Sequence, residues 1–388
     1  MIVRPLTEYC TLNMGQSPDS KTYNTQGKGL PFYQGNADFG ETHPITHVWC
    51  SAPVKVAEDG DILISVRAPI GAMNMAVERC CIGRGLAALT PIRNKCSKQF
   101  LYYALQSKVD SLIAQGTGST FKAISKKVLE ATCIPAYSTI EQEQIAETIG
   151  HVDNTISARR KQLALLDQLV KSRFIELFGD PVSNSMGLPT EPMTTICAII
   201  DGDRGKNYPK QDEFSDTGYC LFLNAKNVTA TGFSFENRMF ITKEKDDALH
   251  NGKLERGDVV LTTRGTLGNL AFYDDSVPFE NVRINSGMVI LRMKKSVMTE
   301  VFFMEQFKLQ LQSIKGKIAS GSAQPQLPIS TMNKIRILLA PMALQEQFAA
   351  FVEQTDKSKY YSSLSFRYCQ AAANTYRQEW MTCRTSDF

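Results

Sequence analysis

The sequence predicts an α+β protein in which two similar globular domains are separated by two long antiparallel helices that form a coiled coil, with pseudo-twofold symmetry. Three observations lead to this prediction. One stretch has the apolar spacing of a coiled-coil helix, a second long helical pattern closes the chain, and the elements before the first helix recur in order before the second. We expect domains at 1–140 and 181–343, with long helices at 141–180 and 344–388.

The first long helix is predicted from one narrow apolar stripe. Its apolar residues recur at steps of three, four or seven, which keeps them on one seam of an α-helix. A stripe this narrow on a helix this long requires a partner helix. Gly179 ends the helix and Pro181 prevents its continuation. The seam residues expected to contact a partner are Ile145, Ile149, Val152, Ile156, Leu163, Leu166, Val170 and Phe174.

The second long helix has a less regular pattern. Ser362, Ser363 and Ser365 lower its helix propensity in the middle. Its simplest partner is the first long helix, packed antiparallel. Its apolar face is predicted to consist of Phe348, Val352, Tyr361, Leu364, Tyr368, Tyr376 and Trp380, of which Phe348, Val352, Leu364 and Tyr368 are the expected partner contacts.

An internal repeat predicts that the two domains share one scaffold. In both halves a Gly-Asp pair precedes a short β-rich run, an arginine and a glycine, at identical spacings. Six correspondences occur in the same order, offset by 197 to 203 residues, which indicates a tandem duplication. The matched residues include Gly60-Asp61, Arg67 and Gly71 with Gly257-Asp258, Arg264 and Gly268, and Gln142-Glu143-Gln144 with Gln345-Glu346-Gln347.

Composition indicates a reduced, cytoplasmic protein without a metal site. The ten cysteines form no CxxC pair, which in a chain of 388 residues favours free thiols over disulfides. His43 and His47 have helical spacing, but Pro44 lies between them and no third ligand is near. There is no signal peptide and no apolar run long enough to cross a bilayer. The net charge of +4 alone says little about partners.

No recognised catalytic motif is present in the sequence. The GxxxxGK[ST] phosphate loop is absent, and so is a GxGxxG that opens a helix after a strand. Asp180-Pro181 is followed by Val182, so it does not match the Asn/Asp-Pro-Pro-aromatic motif of adenine methyltransferases. Asp246-Asp247 lies in a charged segment that we expect to be solvated. The chain is therefore predicted to have no catalytic residues and no cofactor of its own.

Two similar modules on a rigid spacer, without catalytic residues, suit the recognition of two sites on a long, regular partner. Double-stranded DNA fits, because its phosphates attract basic groups and its base edges pair with Arg, Lys, Asn and Gln. Arg67 and Arg264 recur in both copies, although a surface arginine paired with a carboxylate is the alternative for each. The divergent loops at 15–39 and 201–228 fit either recognition or the ordinary drift of exposed loops. The candidate DNA contacts are Lys28, Gln34, Asn36, Arg67, Arg84, Thr120 and Lys122 in the first module and Lys206, Asn207, Asn224, Lys226, Arg264, Asn285, Ser322, Gln324 and Gln326 in the second.

Three features of the chain together resemble the specificity subunit of type I restriction–modification systems. They are the loops at Gly15 to Pro18 and Gly202-Asp203, the Gly-Asp-strand-Arg element, and a Gln-Glu-Gln helix that ends in SRFIELFGDP. The resemblance implies that each module is a target-recognition domain reading one half of a split, asymmetric DNA target, and that the helices fix the gap. It also implies that the helices dock two modification subunits, which bind S-adenosylmethionine and methylate adenine, and that restriction subunits join to cleave unmodified DNA.

Two other interpretations remain open from the sequence. In a non-catalytic scaffold, the modules would bind protein and the long helices would only dimerise. In an enzyme, the purified chain alone would transfer a methyl group from S-adenosylmethionine. Selection from a random double-stranded DNA pool separates DNA recognition from the scaffold, because only the former enriches two short sequence blocks with a constant gap.

Overall fold

The computed structural model describes residues 2–118, 122–294, 297–319 and 326–381. The chain forms two compact units, unit 1 from Met1–Lys161 with Ser362–Phe388 and unit 2 from Gln162–Tyr361. Two long helices contribute residues to both units. None of the described helices combines the length and the apolar content that crossing a membrane requires.

Unit 1 combines β-sheets with short helices around one main core. Its strands are β1 (Val3–Pro5), β2 (Cys10–Met14), β3 (Tyr23–Asn24), β4 (Leu30–Tyr33), β5 (Trp49–Cys50), β6 (Val56–Ala57), β7 (Ile62–Ser65), β8 (Met73–Met75), β9 (Cys80–Ile82), β10 (Leu86–Pro91) and β11 (Cys133–Pro135). Its helices are α1 (Lys98–Gln106), α2 (Val109–Ala114), α3 (Lys126–Ala131) and the first part of α4 (Thr139–Phe178). The core joins Ile62 of β7, Leu89 of β10 and Phe100 of α1.

Unit 2 repeats this plan. Its strands are β12 (Thr190–Pro192), β13 (Cys197–Asp201), β14 (Cys220–Phe222), β15 (Val228–Thr229), β16 (Gly232–Phe233), β17 (Phe240–Ile241), β18 (Asp258–Thr262), β19 (Leu270–Tyr273), β20 (Val282–Arg283), β21 (Met288–Met293) and β22 (Arg336–Leu338). Its helices are α5 (Met193–Ile196), α6 (Lys243–Ala248), α7 (Glu300–Ala319), α8 (Ile329–Met332) and the first part of α9 (Met342–Met381). The core joins Val259 of β18, Leu291 of β21 and Phe302 of α7.

The main sheets of the two units have the same topology, whereas the second sheet has five strands in unit 1, β3-β5-β4-β9-β6, and three in unit 2, β17-β14-β20. The antiparallel sheet β2-β10-β7-β8 corresponds strand for strand to β13-β21-β18-β19. A second sheet contains a parallel pair in each unit, β4 with β9 and β14 with β20. The pair β1–β11 likewise corresponds to β12–β22. The predicted fold class and the predicted duplication of the scaffold are therefore confirmed.

The Gly-Asp pair of the repeat forms the turn that begins the central strand. Gly60 and Gly257 have φ angles of 83° and 96°, a left-handed conformation that favours glycine. The carboxylate that follows each glycine is buried and accepts a hydrogen bond from a backbone N–H three residues earlier. These bonds run from Glu58 to Asp61 at 2.8 Å and from Glu255 to Asp258 at 2.7 Å.

The two buried aspartates differ in their charged neighbours. Arg292 donates to both carboxylate oxygens of Asp258, at 2.9 and 2.8 Å. Asp61 instead has a hydrogen bond with Thr90, and burial raises its pKa above the ordinary value of 3.8. The duplicated turn has therefore kept its geometry while its electrostatic environment diverged.

The two long helices pair antiparallel within each unit. Both have 40 residues, and both their first and their last residues are 203 positions apart. In unit 1, Arg377 of α9 donates to Asp153 of α4 at 2.6 and 2.8 Å, while the side chain of Arg160 lies over Phe366. In unit 2, Lys359 of α9 pairs with Asp167 of α4 at 2.9 Å.

The apolar face predicted for α9 is wrong in its middle. Tyr361 and Tyr368 are each 70% exposed, and Leu364 is 39% exposed. The buried and half-buried positions follow steps of three, four or seven residues, but several carry small or polar side chains that a count of apolar residues overlooks. They are Phe348, Val352, Thr355, Ser362, Phe366 and Ala373.

The seam predicted for α4 lies inside the chain. Ile145, Ile149, Val170 and Phe174 are buried, and Val152, Ile156, Leu163 and Leu166 are half-buried. The four buried side chains therefore pack within the chain, whereas the four half-buried ones keep part of their surface accessible.

Asp246 and Asp247 are both expected from the sequence to be solvated, and this prediction is wrong for Asp246. Its side chain is fully buried, whereas that of Asp247 is exposed. Burial disfavours ionisation of Asp246, but hydrogen bonds from Lys253 and Arg283 outweigh it, so its pKa is lowered. This ion-pair cluster fixes β20 to the segment 246–253, and its role is structural.

Candidate nucleic-acid interface

Four segments of unit 1 meet where the central strand β7 ends. The backbone N–H of Val66 donates to Gly85 O at 2.9 Å, and that of Ile124 donates to Val66 O at 2.9 Å. Gly85 N–H donates in turn to Gln34 O at 3.1 Å. These bonds join the loop after β7, the turn between β9 and β10, the loop after β4 and the segment before α3. The exposed candidates brought together there are Gln34, Arg67, Arg84 and Lys122.

Unit 2 builds the same junction from equivalent strands. Thr263 N–H donates to Gly287 O at 2.8 Å, and Leu327 N–H donates to Thr263 O at 3.1 Å. The loop after β14 reaches the same edge, because the side chain of Thr266 donates to Ala225 O at 3.5 Å. The candidates brought together are Asn224, Lys226, Arg264, Asn285 and Gln326.

Gln34 and Asn224 occupy equivalent positions. Gln34 follows β4, which pairs in parallel with β9, and Asn224 follows β14, which pairs in parallel with β20. A side-chain oxygen downstream accepts the backbone N–H of each, from Gln34 to Asp38 at 2.7 Å and from Asn224 to Asn227 at 2.9 Å. The loops therefore share their backbone anchoring but present side chains of different length.

A glycine holds the first loop of each unit against the junction. A Cβ at Gly15 would overlap Gly83 O, and a Cβ at Gly202 would overlap Asn285 O. Only glycine permits this approach of two backbones. The Gly-x-Ser-Pro and Gly-Asp loops seen in the sequence are therefore held against the loops of the candidate interface.

A groove of about 410 Å³ opens beside Asn224 and Lys226 in unit 2. Arg238 and Met239 also line it, and the sequence analysis missed both because no motif marks them. The amide Nδ2 of Asn224 lies 3.5 Å from Met239 Sδ. The groove thus offers hydrogen-bond donors, acceptors and an apolar thioether, which are the groups that discriminate base edges in a major groove.

The arginines differ in their partners and in their exposure, and Arg204 is both exposed and bonded to Asp201 at 3.0 Å. Arg283, Arg292 and Arg377 each bond a carboxylate and hold the fold together. Four exposed arginines at or beside the junctions have no ion pair or side-chain hydrogen bond within the described residues. They are Arg67, Arg84, Arg238 and Arg264. The alternative expectation for Arg67 and Arg264 is a surface arginine paired with a carboxylate. Neither arginine has a carboxylate partner among the described residues.

Several candidates lie apart from the junctions. Lys28 is exposed on the connection between β3 and β4, where its backbone bonds Asn24. Asn36 is half-buried in a short 3-10 helix, Lys206 is exposed in the loop after β13, and the side chain of Asn207 donates to Ala248 O at 3.0 Å. Thr120, Ser322 and Gln324 lie outside the described residues.

The buried carboxylate in the loop after β13 is structural. Asp203 is buried and accepts backbone N–H groups of Gly205 at 2.9 Å and His250 at 2.8 Å. The Gly205 bond lowers the pKa of Asp203, so it stays ionised and has no proton to transfer near neutral pH. Across the described ranges, no group of three or more His, Cys, Asp or Glu side chains is placed to hold a metal ion.

Comparison with known proteins matches this architecture to one family. The sequence model of the type I restriction modification DNA specificity domain matches residues 1–168 and 194–360. The chain belongs to this family. Its two matches coincide with the two copies of the repeat, so each unit contains most of one specificity domain.

Relatives of the chain carry the same description. It is 41% identical over 164 residues to a putative type I restriction enzyme MjaX specificity subunit of Methanocaldococcus jannaschii, an alignment that covers 42% of this chain and 39% of the relative. It is 23% identical over 376 residues to the MjaIX specificity subunit of the same organism, covering 87% and 83%. The first alignment thus spans well under two thirds of that relative.

A solved structure shares the fold. The crystal structure of a type I restriction–modification S subunit from M. genitalium aligns with a TM-score of 0.62 and 17% identity, covering 99% of this chain and 96% of the other. The likeness to this structure extends over nearly the whole chain, and the match of the family model confirms the resemblance found in the sequence.

Proposed function

We propose that the chain recognises a bipartite double-stranded DNA target, with unit 1 and unit 2 each reading one half-site through its loop junction. The observation that carries this proposal is the equivalence of Gln34 and Asn224, which are held by the same backbone anchors but differ in side chain. A shared scaffold with unlike side chains at equivalent positions suits two readers of different sequences.

Charge supports the same proposal. Arg67 in unit 1 and Arg264 in unit 2 are exposed and unpaired within the described residues. An arginine that carries no structural partner is available to phosphate oxygens and to guanine. The groove beside Asn224 adds Lys226 and Arg238 for the second half-site. It also contains the carboxylates of Asp216 and Glu236, which suit cytosine N4 as a hydrogen-bond donor.

The partners are part of the proposal. Two modification subunits would dock on this chain and supply S-adenosylmethionine, and restriction subunits would join them. Because Ile145, Ile149, Val170 and Phe174 of the α4 seam are buried within the chain, docking would use other residues. The exposed Leu364 and Tyr368 remain candidates for such contacts.

Selection from a random double-stranded DNA pool tests the proposed function. The chain would be co-purified with the modification subunits of its own system and incubated with the pool in fixed salt. We expect enrichment of two short blocks separated by a constant number of unselected base pairs. Enrichment of one continuous block, or of none, contradicts the proposal.

A further inference from the structure

The duplication separates two kinds of DNA contact. The two half-sites of an asymmetric target differ in their bases but share the sugar–phosphate backbone. A side chain that both units place at the same position is therefore expected to contact the phosphates, whereas side chains that differ between the units are expected to contact the bases. These two roles rest on the proposed function of bipartite DNA recognition.

The first shared group is the arginine that follows the central strand. Arg67 follows β7 and Arg264 follows β18. The residue before each, Val66 or Thr263, bonds the carbonyl of a glycine in the facing turn, Gly85 or Gly287. Arg67 and Arg264 therefore leave the sheet at the same place.

The second shared group is an arginine guanidinium that the two units place on different loops. Two residues beyond the close-packed glycines Gly15 and Gly202 stand Ser17 in unit 1 and Arg204 in unit 2. The turn that faces them has Arg84 before Gly85 in unit 1 and Ser286 before Gly287 in unit 2. One loop therefore carries the arginine in unit 1 and the opposite loop carries it in unit 2.

The facing positions are in contact in both units. In unit 1 the backbone N–H of Arg84 donates to Ser17 Oγ at 3.4 Å. In unit 2 Nη2 of Arg204 donates to Ser286 O at 3.2 Å and to Asp201 Oδ1 at 3.0 Å. Both arginines are exposed, while Ser17 and Ser286 are half-buried.

We propose that each unit contains a phosphodiester-binding site made of two arginines, Arg67 with Arg84 in unit 1 and Arg264 with Arg204 in unit 2. Guanidinium groups bind phosphate oxygens in a forked geometry, and two of them hold one backbone position in register. The bonds from Arg204 to Asp201 and Ser286 orient its guanidinium and leave other N–H groups to donate. These arginines position the DNA, and Gln34, Asn224 and the groove beside Asn224 read it.

A reciprocal exchange in unit 2 tests the site. The variant Arg204→Ser removes the second guanidinium, and the double variant Arg204→Ser with Ser286→Arg places it on the facing loop, as in unit 1. The matched control is Arg93→Ser, which removes an exposed arginine beyond the far end of β10. The dissociation constant of each complex, co-purified with its modification subunits, is measured at several salt concentrations.

For Arg204→Ser we expect weaker binding by the same factor for the selected target and for targets with one base changed. The slope of log affinity against log salt should fall in magnitude by about 1, because one phosphate contact is lost. The double variant should restore both the affinity and the slope, and Arg93→Ser should change neither.

Three results overturn the site. They are an unchanged slope in Arg204→Ser, a loss confined to targets with particular bases, and a double variant that stays as weak as the single one. Failure of the proposed function is distinguishable, because the wild-type complex would then show no preference for a bipartite target at any salt concentration.

Discussion

Gln142 and Gln345 make the same two hydrogen bonds at the first turns of α4 and α9. Each is fully buried. Oε1 of Gln142 accepts from Ser97 N at 2.8 Å, and Oε1 of Gln345 accepts from Thr299 N at 3.0 Å. Nε2 donates back to a carbonyl five residues earlier, Tyr137 O at 3.0 Å or Ala340 O at 2.8 Å. The repeated Gln-Glu-Gln therefore ties each long helix to the domain before it.

Replacing Gln142 with Leu should destabilise unit 1. The substitution leaves Ser97 N–H and the Tyr137 carbonyl without this partner, at a cost of about 1–3 kcal/mol for each buried group that stays unsatisfied. Tryptophan fluorescence during urea unfolding reports this loss, because Trp49 and Trp380 both belong to unit 1. Gln144→Leu, at an exposed position one half-turn away, is the control and should change the unfolding free energy by less than about 0.5 kcal/mol. Equal effects of the two substitutions would contradict the role of Gln142.

The Arg292→Thr variant should weaken unit 2, because it gives Asp258 the neutral neighbour that Asp61 already has. The loss of a bidentate partner to a buried carboxylate is expected to cost about 1–3 kcal/mol, since Arg292 itself is partly exposed. Calorimetric unfolding measures this cost. An unfolding free energy within about 0.5 kcal/mol of wild type would show that the pair contributes little.

Asp61 should make the stability of unit 1 depend on pH. Because burial raises its pKa above 3.8, the folded state binds this proton more tightly than the unfolded chain does. The contribution is full below pH 3.8 and is lost as the pH rises through the folded-state pKa. Asp61→Asn keeps an acceptor for Glu58 N–H and cannot titrate, so its unfolding free energy relative to wild type should increase with pH over that window. A difference in unfolding free energy that stays constant with pH over this window would refute the prediction.

The burial pattern of α9 can be tested at one buried and one exposed position. Ala373 is 2% exposed and Tyr368 is 70% exposed. Placing a large side chain in the packed seam by Ala373→Tyr should cost about 1–3 kcal/mol, whereas Tyr368→Ala should leave the unfolding free energy nearly unchanged. Fluorescence of Trp380, which packs against the unit 1 core, follows both variants. A larger loss of unfolding free energy in Tyr368→Ala than in Ala373→Tyr would support the apolar face predicted from the sequence instead.

The features that could be predicted from the sequence are local or periodic. The seam of α4 consists of apolar residues at regular steps, and the Gly-Asp turns repeat at fixed spacings. The rest of the α9 seam, beyond the predicted Phe348 and Val352, escaped prediction. Thr355 and Ser362 are polar and Ala373 is small, yet all three are buried.

The features that could not be predicted depend on contacts between distant segments. Asp246 looked solvated because its partner Arg283 lies 37 residues away. The exchange of Arg84 for Arg204 is invisible along the chain, because the two facing loops are offset by different numbers of residues between the repeats, 187 from Ser17 to Arg204 and 202 from Arg84 to Ser286. Only the contact between the loops makes the two arginines equivalent.

The most direct test of two independent readers is methylation mapping of a genome that carries the chain with its modification subunits, for wild type and for Arg238→Ala. Arg238 lines the groove beside Asn224 and belongs to unit 2, not to unit 1. We predict that the modified sites of wild type consist of two blocks with a constant gap, and that Arg238→Ala changes the bases accepted in one block only. Changes in both blocks, or modified sites without a bipartite pattern, would contradict the account.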